Sequence, residues 1–314
     1  MNVKNNKILV TGSSGFIGSH LVELLIQKGA DIIAFDQYNS NNDYGWLNNT
    51  DYKDKIEFIL GDIRDFDLLN KTVQKADKVI HLAALIGIPY SYLSPLAYIR
   101  TNIEGTYNVL ESCKSNNNKE VIITSTSEVY GSAQYVPIDE FHPKIGQSPY
   151  SASKIGADQV AISYYKSFNL PVKIIRPFNV YGPRQSSRAI IPTIIKQCLN
   201  NKKVIELGNI SPTRDFTYVL DTCEAIYNIL QSDKAVGEEI NIGMGQEISI
   251  ENLAFLIMNK LNINKKIEAN NLRIRKNPSE VERLCCNSDK LSKLINWSNS
   301  FDLDKGLDLT IEWF

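Results

Sequence analysis

The chain has 314 residues, 43% hydrophobic and 22% charged, with 34 basic against 35 acidic side chains and a formal charge of −1. That is ample core for one large domain or two joined lobes, and so even a charge balance gives no electrostatic case for nucleic acid or an anionic membrane. Five cysteines without ligand spacing (Cys113, Cys198, Cys223, Cys285 and Cys286) read as reduced core thiols of a cytoplasmic protein, and three scattered histidines argue against a metal enzyme.

Residues 7–10 read as a short strand, beginning too early to leave room for a signal peptide, and no apolar run reaches membrane-spanning length. Behind the strand stand Gly12, Gly15, Phe16, Ile17 and Gly18, then an amphipathic helix to about Lys28. In such a turn Gly12 permits the tight bend, Gly15 lets the backbone approach a pyrophosphate, and Gly18 lets the helix pack close to the strand. The next strand, 31–35, closes on Asp36, an acid placed to bind adenosine ribose hydroxyls and to repel a 2′-phosphate, which favours NAD over NADP.

Residues 38–55, rich in Asn, Asp and Tyr, form an irregular excursion. A third strand, 56–60, ends at Gly61, Asp62 and Ile63, where Asp62 could read an adenine edge. A helix to Lys75 leads into a fourth strand, 78–82, which leaves through Leu82, Ala83 and Ala84, small enough at the exit for a cofactor to lie on the backbone. His81 within that strand reads as a hydrogen-bonded core residue, whereas His20 and His142 suggest no partner. Residues 85–95, broken by Gly87, Pro89 and Pro95, should loop over the crevice before a helix, 96–115, that carries Asn102.

Chemistry gathers next. Residues 121–124 form a buried strand of a parallel sheet that ends in Ser125, Thr126, Ser127 and Glu128. In an open α/β sheet the carboxyl ends of the strands line the ligand crevice, so this polar cluster faces substrate. A helix starting near Pro149 sets Tyr150 and Lys154 four apart on one face. A free phenol titrates near pH ~10, but an adjacent ammonium and a cationic nicotinamide ring both favour phenolate, and a depression of roughly three units is worth about 4 kcal/mol. Tyr150 could then take a proton from a substrate hydroxyl while hydride leaves the same carbon. A Tyr four residues before a Lys is weak alone, since a packed phenol and a solvated lysine would look the same. Its place behind Ser125 and Thr126, in a chain with the glycine turn, gives it weight.

A further strand, 172–176, runs into Pro177, Asn179 and Arg184, after which the alternation loosens: a helix, 189–199, a short strand, 204–207, the segment 211–218, a helix to Leu230 and shorter elements. The forked guanidiniums of Arg184, Arg188 and Arg214 suit a diphosphate. Solvation is the competing reading, strongest for Arg188. Arg275, Glu280 and Arg283 could line the far end of the site. The expected fold is α/β: a Rossmann-type doubly wound parallel sheet over residues 1–180, and a smaller mixed α/β substrate lobe over 181–314, with some exchange of chain between them.

With the glycine turn, Asp36, Thr126, Tyr150, Lys154 and residues 177–185 in this order, the chain resembles the extended short-chain dehydrogenase/reductases that act on nucleotide sugars. The resemblance implies Thr126, Tyr150 and Lys154 as a catalytic trio, Asn179 and nearby arginines as nucleotide-diphosphate ligands, an NAD that stays bound and is reoxidised within each turnover, and homodimers built on a helical bundle. Glucose-type 4,6-dehydratases carry Thr-Asp-Glu where this chain has Thr126, Ser127 and Glu128. Ser-Glu is also similar to UDP-glucuronate decarboxylases. Residues 83–91 and 211–217 look more like the hexosamine 4,6-dehydratases of nonulosonic (legionaminic-type) acid pathways.

The function this implies is dehydration of a GDP- or UDP-linked N-acetylglucosamine, with a weak lean to guanine. Tyr150 deprotonates the C4 hydroxyl, Glu128 removes the C5 proton, water leaves C6, and hydride returns to C6. Glu128, or Ser127 through water, would protonate the departing hydroxide. The alternatives are UDP-glucuronate decarboxylation with Arg214 facing the carboxylate, 4-epimerisation with no task for Glu128, and a non-catalytic NAD-sensing scaffold.

Overall fold

The computed structural model describes residues 3–270 and 280–314. Six strands of a parallel sheet follow in sequence: β1 (Lys7–Thr11), β2 (Asp31–Gln37), β3 (Ile56–Gly61), β4 (Lys78–His81), β5 (Glu120–Thr124) and β6 (Val172–Pro177). Between them lie α1 (Phe16–Gln27), α2 (Phe66–Gln74), the short α3 (Ile88–Ser91) and α4 (Pro95–Tyr98), α5 (Gly105–Ser115) and α6 (Pro149–Phe168). The apolar runs of the strands are buried on both sides, because alternate residues serve opposite faces. Ile8 and Val10 join the core beneath α1, while Leu9 joins the core beneath α2, α5 and α6.

Outside that sheet come β7 (Asn179–Tyr181), β8 (Val204–Leu207) and β9 (Thr213–Tyr218), with α7 (Ile190–Leu199) and α8 (Val219–Gln231) between and after them. The chain then crosses back. β10 (Glu239–Ile242) pairs in parallel with β6 as the seventh strand of the main sheet, and α8 shares the core of α1. Shorter elements follow: β11 (Glu247–Ser249), α9 (Ile250–Lys260), β12 (Lys266–Ala269), β13 (Arg283–Leu284), α10 (Asp289–Ile295) and α11 (Leu303–Trp313).

The strand order β3-β2-β1-β4-β5-β6-β10 reverses direction between β1 and β4, and ligands of doubly wound sheets bind at the carboxyl side of that switch. Two local features aim side chains at it. Ser148 caps α6 in a reciprocal capping box with Ser151, and Pro149 fills the first helical position, fixing where Tyr150 and Lys154 emerge. Residues 96–115, expected as one helix, do run helically from α4 to α5, but through a π turn at Ile99–Glu104. That extra residue swings Asn102 inward, where it is buried.

Candidate active site

A cleft of ≈ 910 Å³ lies along the carboxyl ends of the strands. At one end is the glycine turn. Gly12 has φ +71°, and a Cβ there would come within 2.8 Å of Ala83 N; a Cβ on Gly18 would meet Gly12 O at 2.2 Å. Gly18 therefore lets α1 pack on the turn itself rather than on the strand. Gly15 differs, because its Cβ would reach nothing nearer than Gly12 O at 3.4 Å while the residue lines the cleft. The protein leaves open in front of Gly15 a space that a side chain would fill, which is what a pyrophosphate against the amides of a helix N-terminus requires.

Asp36, at the end of β2, accepts hydrogen bonds from Ser13 Oγ and, at 2.8 Å, from Ser14 N. Burial pushes its carboxyl above the usual range, and these donors pull it back. Phe16, Ile17, Ile63, Leu82, Ala83 and Ala84 line the cleft as expected. Asp62 lines it too, with its carboxylate engaged by Arg64 at 2.5 and 2.9 Å. The excursion after β2 proves structural as well, closing over the turn through Trp46 N donating to Ser14 O at 3.2 Å. Together these residues fit a dinucleotide with an unphosphorylated adenosine ribose.

At the other end β5 stops and Thr126 caps a short 3-10 turn, its Oγ1 accepting from Glu128 N at 3.2 Å. Thr126, Ser127, Glu128, Tyr150, Lys154, Pro177 and Asn179 all line this end. Lys154 is buried and donates to Thr124 O at 2.6 Å; burial lowers its ammonium to about 8, with Asp158 working in the opposite direction. Ser125 donates to Asp158 at 2.9 Å, and Asp158 pairs with the buried Arg176 at 2.9 Å.

The expected depression of Tyr150 is not a property of the chain alone. Burial pushes its phenol well above the ordinary value, the Thr126 hydroxyl pulls it down, and the Glu128 carboxylate pushes it up again. Desolvation of the phenolate outweighs the neighbouring donor.

None of the expected diphosphate arginines lines the cleft through its own side chain. Arg184 has a left-handed backbone (φ 67°) and pairs with Glu23 of α1 at 3.0 Å, so it braces the loop against the helix. Arg214 donates to Thr213 O and to Glu280, at 2.8 and 3.2 Å. Arg188, the one best read as solvated, is exposed between Ser186 and Ala189, which do line the cleft. Arg275 lies outside the described residues. Gln185 also lines the cleft, with its amide nitrogen held by Val180 O at 2.8 Å; nothing in the sequence distinguished it from its loop.

The described residues contain no cluster of three or more potential metal ligands, and none of the described helices is long and apolar enough to cross a membrane. His20 and His142, which suggested no partners, find them in Pro183 O (3.1 Å) and Gln134 N (2.9 Å).

Residues 9–310 match the family model of GDP-mannose 4,6-dehydratase. The chain belongs to this family. It is thereby a member of the extended short-chain dehydrogenase/reductases, the NAD-dependent 4,6-dehydratases and epimerases of nucleotide sugars. A dTDP-D-glucose 4,6-dehydratase of Dictyostelium discoideum is 39% identical over 81% of this chain and 62% of its own length. Among solved structures, DesIV of Streptomyces venezuelae, a dTDP-glucose 4,6-dehydratase with NAD and TYD bound, superposes with a TM-score of 0.90 at 28% identity, covering 98% of this chain and 96% of that one. A UDP-N-acetylglucosamine 4-epimerase of Methanobrevibacter ruminantium, in complex with UDP-N-acetylmuramic acid, gives 0.88 at 32% identity, covering 99% and 98%.

Proposed function

We propose that this protein is an NAD-dependent 4,6-dehydratase of a nucleotide-linked N-acetylglucosamine, GDP- or UDP-, acting in the cytoplasm in a pathway of the legionaminic type. The observation that carries the reading is a carboxylate, Glu128, in the same cleft as Tyr150 and near enough to raise its pKa. Dehydration needs a base for C5 beside the group that deprotonates the C4 hydroxyl, whereas epimerisation leaves Glu128 idle. Decarboxylation of a uronic acid would need a cation at C6, and Arg214 is engaged with Glu280 and the Thr213 carbonyl.

In this reading Thr126 and Tyr150 hold the C4 hydroxyl and Tyr150 takes its proton. The bound dinucleotide supplies the hydride acceptor at C4 and the hydride donor at C6. A ketone at C4 acidifies C5, and Glu128 removes that proton as water leaves C6. Glu128, or Ser127 through water, returns a proton to the departing hydroxide, and C5 takes a proton from solvent as hydride arrives at C6. Asn179 and the Gln185–Arg188 loop meet the diphosphate, with Arg188 supplying the cation. Holding the hexose in register contributes several powers of ten to rate. Exposed apolar side chains along α4 and α5, Leu96, Ile99 and Tyr107, support a homodimer through a helical bundle.

The test is incubation of purified protein with GDP- and UDP-N-acetylglucosamine and with UDP-glucuronate, products weighed by mass spectrometry. Loss of one water is expected from a hexosamine. Loss of carbon dioxide, or unchanged mass with C4 inverted as the 4-epimerase neighbour suggests, overturns the reading. Glu128→Gln should keep NAD bound and abolish water loss; normal turnover by that variant would remove Glu128 from the role of base.

A further inference from the structure

Behind the cleft runs a chain of hydrogen bonds whose donors and acceptors can be ordered in only one way. Asn102 Nδ2 donates to Leu85 O at 3.0 Å and to Ser153 Oγ at 2.9 Å, while its Oδ1 accepts from Leu85 N at 2.9 Å. Ser153 Oγ donates its own hydrogen to Tyr150 O at 2.7 Å. Thr106 Oγ1 donates to Asn102 O at 2.6 Å. A carbonyl can only accept, so the Thr106 hydroxyl turns a lone pair toward His81 Nε2, 3.2 Å away, and Nε2 must carry the hydrogen. Nδ1 is then the acceptor, taking the hydrogen of Thr11 Oγ1 at 2.8 Å, and Ala83 N donates to Thr11 Oγ1 at 3.3 Å. The tautomer follows from the network.

We propose that His81 is a positioning residue. As a neutral Nε2–H imidazole it ties the cofactor wall of the cleft, at Thr11 and Ala83, to the π turn whose Asn102 fixes Leu85 and, through Ser153, the first turn of α6 that carries Tyr150. The proposal rests on the reading of Tyr150 as the group that deprotonates C4. Thr11, His81 and Thr106 are all buried, so an apolar side chain in place of the imidazole would leave the Thr11 hydroxyl without its acceptor and the Thr106 hydroxyl without one of its donors. The element packed against His81 that brings charge is α6, through Lys154, while β1 and α5 offer it only the two threonines. Burial and that ammonium hold the imidazole at about 3, so it stays neutral wherever the enzyme works. This joins two walls that the sheet alone does not join: residues before the glycine turn on β1 and residues of α5, in the connection between β4 and β5.

Two measurements test it. Side-chain ¹⁵N spectra of histidine-labelled protein, with the His20 signal assigned by its loss in His20→Gln, should show His81 as the neutral Nε2–H tautomer, unchanged from pH 8 to 5. The opposite tautomer at His81, or titration near ~6.5, overturns the assignment. In the assay above, Thr106→Val should lower kcat roughly 10- to 100-fold, as small misplacements of reacting groups do, with KM and NAD content within about twofold, and Thr106→Ser should restore turnover because it keeps the hydroxyl. A Thr106→Val variant that melts lower but turns over normally reduces the chain to a structural strut and refutes the proposal. Should no hexosamine lose water to wild-type protein, the reaction reading fails by itself, and the imidazole spectrum still decides for or against the His81 assignment.

Discussion

Replacing Gly15 by alanine separates what the glycine turn does for the fold from what it does for a ligand. Gly15 has φ −73° and ψ −177°, which alanine adopts without strain, and the new methyl meets nothing closer than 3.4 Å. By removing freedom from the unfolded chain the substitution should stabilise the protein by about 0.4–1 kcal/mol. On the cleft side the same methyl occupies the space a pyrophosphate needs to reach the amides of α1, and we expect NAD affinity to fall about 100-fold, or ~2.7 kcal/mol. Thermal unfolding with and without NAD reads both effects. At a hundredfold excess over Kd, NAD should stabilise the wild type by about 2.7 kcal/mol, roughly 4 °C for a chain of this size. Gly15→Ala should melt at or slightly above the wild type alone and gain almost nothing from NAD. Gly18→Ala, whose Cβ would lie 2.2 Å from Gly12 O, should melt lower in both conditions. A full NAD-induced shift in Gly15→Ala would mean that the pyrophosphate does not cross this residue, and the turn would lose its meaning as a cofactor site.

Two further substitutions probe buried lysines. Lys173 is wholly buried at the amino end of the sheet, pairing with Glu120 at 2.6 Å and donating to the α8 carbonyls of Ile229 and Leu230 at 2.9 and 3.2 Å; Lys173→Met should cost about 3 kcal/mol in denaturant unfolding, and an unchanged midpoint would show that Lys78 caps α8 alone. Lys154→Met should do the reverse at neutral pH. Burial lowers the folded ammonium from 10.5 to about 8, so the charge disfavours the native state at every pH below 8 by about 3 kcal/mol, and the penalty disappears as pH rises from 8 through the unfolded value. Subtracting the lost bond to Thr124 O, ~1–2 kcal/mol, the variant should be more stable than wild type by about 1–2 kcal/mol at pH 7, lose that advantage by pH ~10, and be inactive. A variant less stable at pH 7 would show that Lys154 is not desolvated.

The sequence made the parallel strands legible because buried strands need uninterrupted apolar runs, and Val121, Ile122 and Ile123 of β5 are fully buried as such a run demands. It also made the site clusters legible, since every strand of the switch region ends in residues that suit a ligand. What escaped depends on contacts between distant segments. Nothing in the four residues of β10 tells that they pair with β6 rather than with the lobe around them. No residue pattern in the sequence marks the π turn at Ile99–Glu104 that buries Asn102. Which arginine stands nearest the cleft was not legible, because a guanidinium's reach is set by its backbone: the left-handed φ at Arg184 accompanies its pairing with Glu23, whereas Arg188 sits between two cleft residues.

The electrostatics of Tyr150 and Lys154 carry the deeper consequence. Burial acts on both in the same chemical sense, favouring neutral phenol and neutral amine. A cation brought by a ligand into such a site lowers both the phenol and the ammonium further. The lysine's bond to the Thr124 carbonyl and the capped start of α6 fix where the two groups stand. It follows that Tyr150 gains basicity only when the cleft is filled, and that the free protein keeps its phenol protonated at neutral pH.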